Sequence, residues 1–511
     1  MSDKPVRVRF APSPTGPLHI GGVRTALYNY LFAKKNNGTF ILRIEDTDQT
    51  RFVDTAEDYL IESLKWCKII PNEGQGIGGE YGPYKQSERK EIYSSYVEKL
   101  VQTGKAYYAF DTAEELQQKR DEAEKSKNHS WQYNAETRLS MTNSFTLTEE
   151  AVNQKIKNGE PYVIRFKMPK NKDIHFTDLI RGEVTINTHN LDDKVLYKSD
   201  GLPTYHMANV IDDYTMKISH VIRGEEWLSS TPLHVLLYNA FQWEAPQFAH
   251  LPLILKPNGK GKLSKRDGDK LGFPVFPMNW LTKEGEVFPG YKEEGYFPEA
   301  FINMLAFLGW NPGTTQEIFS LDELVESFTL ERVSKGGARF DIDKTKWFQQ
   351  HYLRTTSNKQ LAQLLRNELP TELESFSDKY IETVCSIMKE RATFVKDLYF
   401  DAMFLYKNPN NFDAQILKKR WKDNTNDLIK DWINILENIN DFSAENIDFS
   451  FHQFIEEKQV GMGQVLLPFR LLLTGSGQGP NMFEVSELLG KEETLKRMKE
   501  NLQTIIKMQE K

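Results

Sequence analysis

The sequence predicts an α/β fold with a parallel sheet in its N-terminal part, followed by an all-helical C-terminal part. Residues 6–48 follow the order strand, helix, strand in their hydrophobic period, which is typical of a parallel βαβ unit. Strand patterns return between 161 and 222. The segments 376–404, 413–440 and 483–508 have a helical period and few strand signals. A chain of 511 residues has room for about three domains.

Composition limits the class of protein. No run of residues reaches the roughly eighteen apolar positions of a membrane span, and the N-terminal residues lack the apolar stretch of a signal peptide. The two cysteines, Cys67 and Cys385, offer no disulfide framework, so we expect a cytoplasmic protein that does not bind membranes. A net charge of −7 argues against an extensive nucleic-acid-binding surface, but it allows RNA binding through a local basic strip.

The first element is a strand over 6–10. Val6, Val8 and Phe10 alternate with Arg7 and Arg9, which predicts a strand with one buried face and one face exposed to solvent.

A stiff turn and a helix follow this strand. Three prolines and Gly16 forbid regular structure up to His19, and the apolar spacing becomes helical from Val23. A helix that begins at the Gly21–Gly22 step would direct free backbone N–H groups at a ligand above the sheet. Such a helix end attracts phosphate, and His19 can donate a hydrogen bond to it. The plainer interpretation is an ordinary βα turn that happens to be rich in proline.

The second strand, TFILRIEDTD at 39–48, ends in an acidic cluster of Glu45, Asp46 and Asp48. Ligands bind outside the carboxyl ends of parallel strands, so these carboxylates are candidates for a binding site. For Asp48 we expect a salt bridge with Arg51 instead. A calcium loop is not supported, because no further acidic spacing of that kind follows.

Two patterns in the next part of the chain do not predict a binding site. The segment GQGIGG at 74–79 has the letters of a dinucleotide fingerprint, but it follows a helical pattern and no helix opens directly after it, so we interpret it as a loop. Residues 111–140 are charged and polar, which predicts a solvated helix.

Site candidates return in DGLPTYHMANVIDD at 200–213 and in VIRGEEW at 221–227. Core packing explains Tyr205 and His206 as simply as function does, and for His206 the two interpretations weigh about equally. Arg223 lies at the carboxyl end of a predicted strand. A guanidinium there can hold a carboxylate through two parallel hydrogen bonds.

The segment KPNGKGKLSKRDGDK at 256–270 contains six basic residues and three glycines, a composition typical of an exposed mobile loop. No P-loop pattern occurs in the chain, so ATP chemistry of the Walker type is not supported.

Two of these segments together resemble a known family. PSPTGPLHIGG at Pro12–Gly22 resembles the HIGH motif of class I aminoacyl-tRNA synthetases, in the form of the glutamyl/glutaminyl branch. Lys262-Leu263-Ser264-Lys265-Arg266 resembles the KMSKS signature, with Leu in place of Met and Arg in place of the final Ser. Segment 331–354 resembles the family's junction between the catalytic body and the anticodon-binding part, and segments 471–475 and 482–485 resemble its C-terminal region. The helical end is similar to the bacterial glutamyl type, since eukaryotic-type glutaminyl enzymes would show a β-barrel pattern.

The resemblance implies a Rossmann-like catalytic domain with an insertion that binds the tRNA acceptor end, followed by an all-α anticodon-binding domain. On this basis we expect the first catalytic half at 1–110, the insertion at 111–196, the second catalytic half with a stem-contact region at 197–330 and the anticodon domain at 331–511.

The resemblance also implies an activity. A glutamate–tRNA ligase activates L-glutamate with ATP, passes it to the 3′ end of tRNA(Glu), and releases AMP and diphosphate. His19 and Lys265 would be the catalytic residues. The implied ATP-binding residues are Pro12, Ser13, Pro14, Thr15, Gly16, His19, Gly21, Gly22, Glu226, Lys262, Ser264 and Lys265. The implied glutamate-binding residues are Arg9, Ala11, Ser13, Glu45, Tyr205, Asn209 and Arg223, with Glu45 on the substrate ammonium group.

Partners and cofactors follow from the same resemblance. Mg²⁺ would enter with ATP. Many relatives carry a cysteine-rich zinc cluster in the insertion, but no cysteine lies between 68 and 384, so we expect no zinc. We expect a monomer. Arg354, in the segment WFQQHYLR, matches the family position that bears on the third anticodon base. Trp347 in that segment fits a core residue better than an RNA contact.

Three alternatives stay open from the sequence. The enzyme could be non-discriminating and also charge tRNA(Gln). A small-molecule nucleotidyltransferase shares related HIGH-like turns but does not need the helical tail. An RNA-binding protein without activity would not need His19, Lys265, Glu45 and Arg223 together.

Overall fold

A computed structural model describes residues 5–48, 50–126 and 131–509. The chain divides into a first unit, Met1–Glu294 with Pro298–Thr345, and a second unit, Gly295–Phe297 with Lys346–Lys511. The boundaries expected from the sequence, at 110, 196 and 330, stay predictions.

The strands all belong to the first unit. In chain order they are β1 (Arg7–Phe10), β2 (Thr39–Leu42), β3 (Glu73–Gly74), β4 (Ala106–Ala109), β5 (Val163–Phe166), β6 (Asp173–Asp178), β7 (Gly182–Asn187), β8 (Val195–Tyr197), β9 (His220–Gly224), β10 (Gln247–Leu251), β11 (Ile254–Leu255), β12 (Trp280–Leu281), β13 (Val287–Phe288) and β14 (Ala338–Arg339).

Two groups of mainly parallel strands form the centre of the first unit. β1, β2 and β3 pair in this order, with Arg7 opposite Thr39 and Phe10 opposite Leu42. The second group has the order β7-β6-β10-β9, in which β9, β10 and β6 are parallel and β6 and β7 form an antiparallel pair. The backbone N–H of Ser219, just before β9, donates to the carbonyl of Arg7 at 2.9 Å, so β1 and β9 are neighbours.

Smaller sheets surround this centre. β4, β5 and β8 form an antiparallel sheet, and β11 with β14 and β12 with β13 form two-stranded pairs.

In chain order, the helices of the first unit fall between its strands. They are α1 (Ile20–Lys35), α2 (Ala56–Trp66), α3 (Lys90–Gln102), α4 (Ala113–Lys125), α5 (Glu149–Lys157), α6 (Tyr205–Thr215), α7 (Thr231–Phe241), α8 (Lys265–Leu271), α9 (Pro298–Ala306) and α10 (Leu321–Ser327). Asn29 ties α1 to the sheet, because its side-chain amide donates to the carbonyl of Ile222 at 3.0 Å. The βαβ order predicted over 6–48 is therefore present.

Two local predictions were wrong, and a third was off by one residue. β1 has no solvent-exposed face, since Arg7 and Arg9 are also buried. α1 begins at Ile20, one residue before the predicted Gly21–Gly22 step, and the side chain of His19 caps it. The basic segment 256–270 is only partly a loop: from Lys265 it is helical, and Ser264 and Asp267 form a capping box at its start.

Every regular element of residues 346–509, which the structure describes throughout, is an α-helix. The helices are α11 (Ile342–Thr355), of which the part from Lys346 belongs to the second unit, α12 (Asn358–Glu368), α13 (Asp378–Met388), α14 (Asp397–Phe400), α15 (Met403–Tyr406), α16 (Ala414–Arg420), α17 (Thr425–Asn438), α18 (Ala444–Lys458), α19 (Met462–Thr474), α20 (Met482–Leu489) and α21 (Lys491–Gln509).

The second unit packs around one apolar core. In α17 the buried positions Leu428, Ile429, Trp432, Ile433 and Leu436 repeat at helical spacing and form one face. The ring of Trp432 contacts those of Phe451 and Phe469, with centroids 5.2 and 5.8 Å apart. This core confirms the all-helical end predicted from the sequence. Within the described residues of either unit, no helix combines the length and apolarity that crossing a membrane would require.

Candidate active site

A cavity of about 580 Å³ opens in the first unit where β1, β2, β9 and β10 end. This is the position at which parallel sheets bind ligands. The segments that follow these strands supply most of its wall. Its lining residues are Arg9, Phe10, Ala11, Pro12, Ser13, Leu18, His19, Gly21, Gly22, Arg24, Thr25, Glu45, Tyr205, Asn209, Ile222, Arg223, Gly224, Glu226, Trp227, Pro252, Leu253, Ile254, Lys262, Leu263 and Ser264.

Most of the side chains proposed from the sequence meet in this cavity. Pro14, Thr15 and Gly16 do not line it. The carbonyl of Pro14 instead accepts a hydrogen bond, at 3.0 Å, from the N–H of Val53 in the segment that leads to α2. The side chain of Lys265 lies outside the part of the chain that the structure describes. Arg354 belongs to the second unit.

His19 ends the turn after β1 and caps α1. Its Nδ1 accepts a hydrogen bond from the N–H of Gly21 at 3.2 Å, so the proton of the neutral ring is on Nε2. Burial, with a smaller effect from Lys262, lowers the pKa of His19 to about 4. No described residue accepts from the buried Nε2. His19 is therefore a neutral donor without a protein acceptor, on the wall of the cavity.

The free N–H groups expected at the start of α1 are already engaged. The N–H of Ile20 donates to the carbonyl of Val275, and those of Gly22 and Val23 donate to the carbonyl of His19. His19 itself takes the N–H of Gly21. An anion at this end would be attracted by the positive end of the helix dipole and by the Nε2–H of His19.

Glu45 follows β2 and is buried. One oxygen, Oε1, accepts from the amide of Asn209 at 3.0 Å and from Arg43 Nη2 at 3.2 Å. Burial raises the pKa of Glu45, against the opposing effects of Arg43, Arg9 and Asn209. A cationic ligand group beside Glu45 would favour its ionised form. Asp48, in contrast, forms the predicted exposed salt bridge with Arg51, at 2.6 Å, which confirms its structural role.

Beneath Glu45 lies a buried network in which opposite charges are paired. Arg9 donates to both carboxylate oxygens of Asp213, at 2.9 and 3.2 Å. Arg43 donates to Asp213 at 2.8 Å, and Arg89 donates to Asp212 at 2.7 Å. Burial would raise the pKa of Asp213, but Arg9 and Arg43 outweigh it and hold the pKa below its usual value. Arg9 therefore has a protein partner for its charge.

Arg223, at the end of β9, is different. It is 5% exposed, and no carboxylate of the described residues lies within 4 Å of it. Its N–H groups donate to neutral acceptors: His250 Nε2 (3.0 Å), Tyr205 Oη (3.1 Å), His234 Nδ1 (3.3 Å), the carbonyl of Trp227 (3.3 Å) and Thr231 Oγ1 (3.0 Å). A second cavity arginine without a carboxylate partner, Arg24, donates to the backbone carbonyls of Leu308 and Pro252.

Tyr205 and Asn209 are brought to the cavity by the first turns of α6. The ring of Tyr205 packs on that of Trp227 with centroids 4.2 Å apart, and burial raises its pKa, so the hydroxyl stays protonated. His206 lies behind it and contacts His234, with 3.2 Å between Nδ1 and Nε2. Because burial lowers the pKa of both histidines, they are neutral.

The basic segment forms another part of the wall. Lys262 Nζ lies 3.1 Å from Glu226 Oε1, and Ser264 donates to Asp267 at 2.5 Å. Glu226 folds back over Gly224, where a Cβ atom would lie 2.0 Å from Glu226 Oε2, so any larger residue there would displace the Glu226 carboxylate.

Sequence reasoning missed the support behind Arg223. Asp178 lies on β6, Thr231 and His234 lie on α7, and His250 lies on β10, and no motif or spacing marks them. Asp212 and Asp213 stood inside a segment that was singled out, but only the structure shows that they pair with arginines.

No group of three or more His, Cys, Asp or Glu side chains within 5–48, 50–126 and 131–509 is arranged to hold a metal ion. Cys67 and Cys385 are both buried and free.

In the second unit, Arg354 is partly exposed. Its Nη2 donates to the carbonyl of Glu390 at 2.9 Å, and its Nε lies 3.6 Å from Glu390 Oε2. Trp347 is 38% exposed, so the prediction that it is a core residue was wrong. Leu353 is fully buried.

Comparison with known proteins adds to this geometry. Residues 5–347 match the family model described as tRNA synthetases class I (E and Q), catalytic domain, and residues 360–502 match an anticodon binding domain. A glutamate–tRNA ligase of Christiangramia forsetii is 55% identical, over 99% of this chain and 100% of its own length. One of Phocaeicola vulgatus is 54% identical over 99% and 100%. The crystal structure of a glutamate tRNA ligase from Elizabethkingia meningosepticum, in complex with its amino acid, matches with a TM-score of 0.95 and 52% identity. The match covers 98% of this chain and 100% of the chain in that crystal structure.

Proposed function

The chain belongs to the class I tRNA synthetases for glutamate and glutamine, and we propose that it is a glutamate–tRNA ligase. The observation that carries the choice of substrate is Arg223, a buried cation on the cavity wall without a carboxylate partner within 4 Å among the described residues. A glutamate side chain supplies the missing charge. High identity over the whole chain to curated glutamate–tRNA ligases supports the same conclusion.

Glutamate would lie between Arg223 and Glu45. The substrate side-chain carboxylate is a stronger acceptor than the hydroxyl of Tyr205 or the carbonyl of Trp227, so it can displace these contacts of 3.1 and 3.3 Å. The ammonium group would bind Glu45, whose Oε1 is already oriented by Asn209. Arg9, Ala11 and Ser13 complete this wall.

ATP would lie over the turn after β1 and the start of α1, against Pro12, Ser13, Gly21 and Gly22, which line the cavity. Pro14, Thr15 and Gly16 would shape this turn from outside the cavity. His19 would donate its Nε2–H to a phosphate oxygen as a neutral ring. Glu226, Lys262 and Ser264 would close the other side, with Lys265 adding positive charge. Mg²⁺ would enter bound to the phosphates, and we expect no zinc.

The reaction then needs alignment and charge neutralisation. The α-carboxylate of glutamate is ionised at neutral pH and attacks the α-phosphorus of ATP without a general base, releasing diphosphate. The 3′-terminal hydroxyl of tRNA(Glu) next attacks the acyl carbon, and AMP leaves. His19 and Lys265 would stabilise the charge that develops on the phosphates.

The second unit would bind the anticodon stem-loop, with Arg354 on the third anticodon base. The match of residues 360–502 to an anticodon binding domain supports the role of this unit, and Arg354 lies just before the matched range. We propose a monomer that acts in the cytoplasm.

The test is ATP–diphosphate exchange with each amino acid, with and without tRNA. Glutamate-dependent exchange and charging of tRNA(Glu) support the proposal. Exchange with a different amino acid would contradict it. Charging of tRNA(Gln) with glutamate would favour the non-discriminating alternative.

A further inference from the structure

Arg223 is held from behind by a chain of buried groups. His250 Nε2 accepts from Arg223 Nε at 3.0 Å, and on its other side His250 Nδ1 lies 2.6 Å from Asp178 Oδ2. Asp178 and His250 are 1% and 0% exposed. They belong to two adjacent parallel strands, β6 and β10, and neither lines the cavity.

The hydrogen bonds fix the state of each group. A guanidinium has no acceptor, so His250 Nε2 must present a lone pair and its proton must be on Nδ1, facing Asp178. Burial would raise the pKa of Asp178, but hydrogen bonds from His250 and from two backbone N–H groups outweigh it and lower the pKa. Burial lowers the pKa of His250. An ionised Asp178 therefore faces a neutral imidazole.

The imidazole ring also keeps the carboxylate away from the cation. Arg9, Arg43 and Arg89 contact aspartates directly, whereas Asp178 reaches Arg223 only through His250. Arg223 is thus oriented without a direct ion pair, and its charge stays available to a ligand.

We propose that Asp178 and His250 are positioning residues for amino-acid selection: Asp178 sets the tautomer of His250, and His250 orients Arg223 toward the substrate side-chain carboxylate. This inference rests on the proposed function, because it assumes that the carboxylate bound by Arg223 is that of glutamate. It makes two residues outside the cavity determinants of the preference for glutamate over glutamine.

Asp178→Asn separates this role from a structural one. Asp178 Oδ1 accepts from the backbone N–H groups of Ile180, Arg181 and His250 at 3.0, 2.9 and 3.3 Å. In the variant, the oxygen of the new amide would stay at these donors, so its NH₂ would face His250 Nδ1. The imidazole proton would then move to Nε2, where it faces the N–H of Arg223 at 3.0 Å and could be accepted only by Thr231 Oγ1 at 3.2 Å.

Asp178→Ala is the matched variant. It removes every hydrogen bond of the side chain, but it leaves His250 free to keep its proton on Nδ1. A structural role predicts more damage from Ala than from Asn in all properties. The tautomer role predicts that Ala is the less stable protein, while Asn has the poorer selectivity for glutamate.

The experiment measures kcat and KM for glutamate and glutamine in ATP–diphosphate exchange with tRNA present, together with thermal unfolding. In Asp178→Asn we expect a glutamate KM raised about 10- to 100-fold, by analogy with loss of the carboxylate behind a metal-binding histidine, with a smaller change in kcat. The KM for glutamine should change less. An unchanged selectivity, or a larger selectivity loss in Asp178→Ala, overturns the proposal.

A spectroscopic measurement on the wild-type protein does not depend on the Asp178 variants folding. Histidine ¹⁵N spectra of the wild-type protein at neutral pH should contain a ring protonated on Nδ1, and His250→Gln assigns this signal by its loss. If no ring has that tautomer, the proposal is wrong. Wild-type protein without glutamate-dependent exchange would instead contradict the proposed function, and it would leave the tautomer result standing.

Discussion

Arg9 and Asp213 form a buried ion pair with two hydrogen bonds, of 2.9 and 3.2 Å, between elements that are far apart in the chain. This pair joins β1 to α6 and accounts for the charge of Arg9 before any substrate arrives. Among the residues that the structure describes, no carboxylate forms such a pair with Arg223. The two arginines line the same cavity but should respond differently to the same substitution.

Arg9→Gln should destabilise the first unit. Removing one partner of a buried ion pair costs about 3–5 kcal/mol, because the remaining charge is left poorly compensated. Arg43, which also donates to Asp213, should keep the loss toward the lower end of that range. Urea unfolding followed by tryptophan fluorescence measures the effect, with Arg51→Gln, at an exposed pair, as the control. A free energy of unfolding equal to that of the control would contradict the structural role.

Arg223→Gln should instead abolish selectivity for glutamate over glutamine. Loss of one partner of a desolvated charge pair costs roughly 2–5 kcal/mol of binding, and here the cost falls on glutamate alone. The measurement is the ratio of kcat/KM for the two amino acids in ATP–diphosphate exchange with tRNA. If Arg223→Gln keeps the wild-type ratio, another residue reads the side chain.

Sequence patterns could locate the cavity, because its walls follow strands and carry motif residues such as His19 and Glu45. They could not find Asp178 or His250. These residues act through a hydrogen bond between two strands. Their neighbours in the sequence are largely apolar, as in any buried strand, so nothing in the sequence marks the two positions.

The burial of both faces of β1 was also not predictable from its sequence. An alternating Arg pattern normally predicts a solvent-exposed face, and here both arginines are buried. Glu73 and Asp213, which are far along the chain, supply the compensating charges for Arg7 and Arg9. Pairing between charges that are far apart in the chain thus overrides the local pattern. The periodicity of the strand alone cannot predict this pairing.

His19 should make the protein less stable in mild acid. Its pKa is about 4 in the folded protein, against an ordinary value of 6.5. Between these pH values the unfolded chain binds a proton that the folded protein does not, so stability is lost as the pH falls from about 6.5 to 4. At pH 5 the loss from this group is about 2 kcal/mol.

The test compares unfolding free energies at pH 7 and pH 5 in wild type and His19→Asn. The variant should lose less stability between the two pH values, by about 2 kcal/mol. An equal slope in the two proteins would show that His19 is protonated as easily when folded as when unfolded.

Lys265→Ala should slow adenylate formation by about 10²–10³-fold, the scale of losing one group that stabilises developing charge in the transition state. Lys260→Ala, in the same basic segment but outside the cavity wall, is the matched control. Single-turnover formation of glutamyl-adenylate measures the step. Similar rates in the two variants would remove Lys265 from the mechanism.

Arg354→Gln should relax discrimination between tRNA(Glu) and tRNA(Gln) while leaving glutamate activation intact. The third anticodon base is C in the glutamate tRNA and G in the glutamine tRNA, and a side chain that reads one base edge discriminates by about 1–3 kcal/mol. Arg354 is partly exposed on α11 and is held by Glu390, so its guanidinium is both accessible and oriented.

Glu390→Gln separates base reading from loss of this local pair. It removes the charge partner of Arg354 but keeps both the arginine and the backbone carbonyl that accepts from Nη2 at 2.9 Å. If Arg354 reads the base, Arg354→Gln changes the ratio of charging rates of the two tRNAs by about 5- to 100-fold. Glu390→Gln should then change it much less. If both variants change the ratio equally, the pair acts by shaping the surface; if neither changes it, Arg354 does not contact that base.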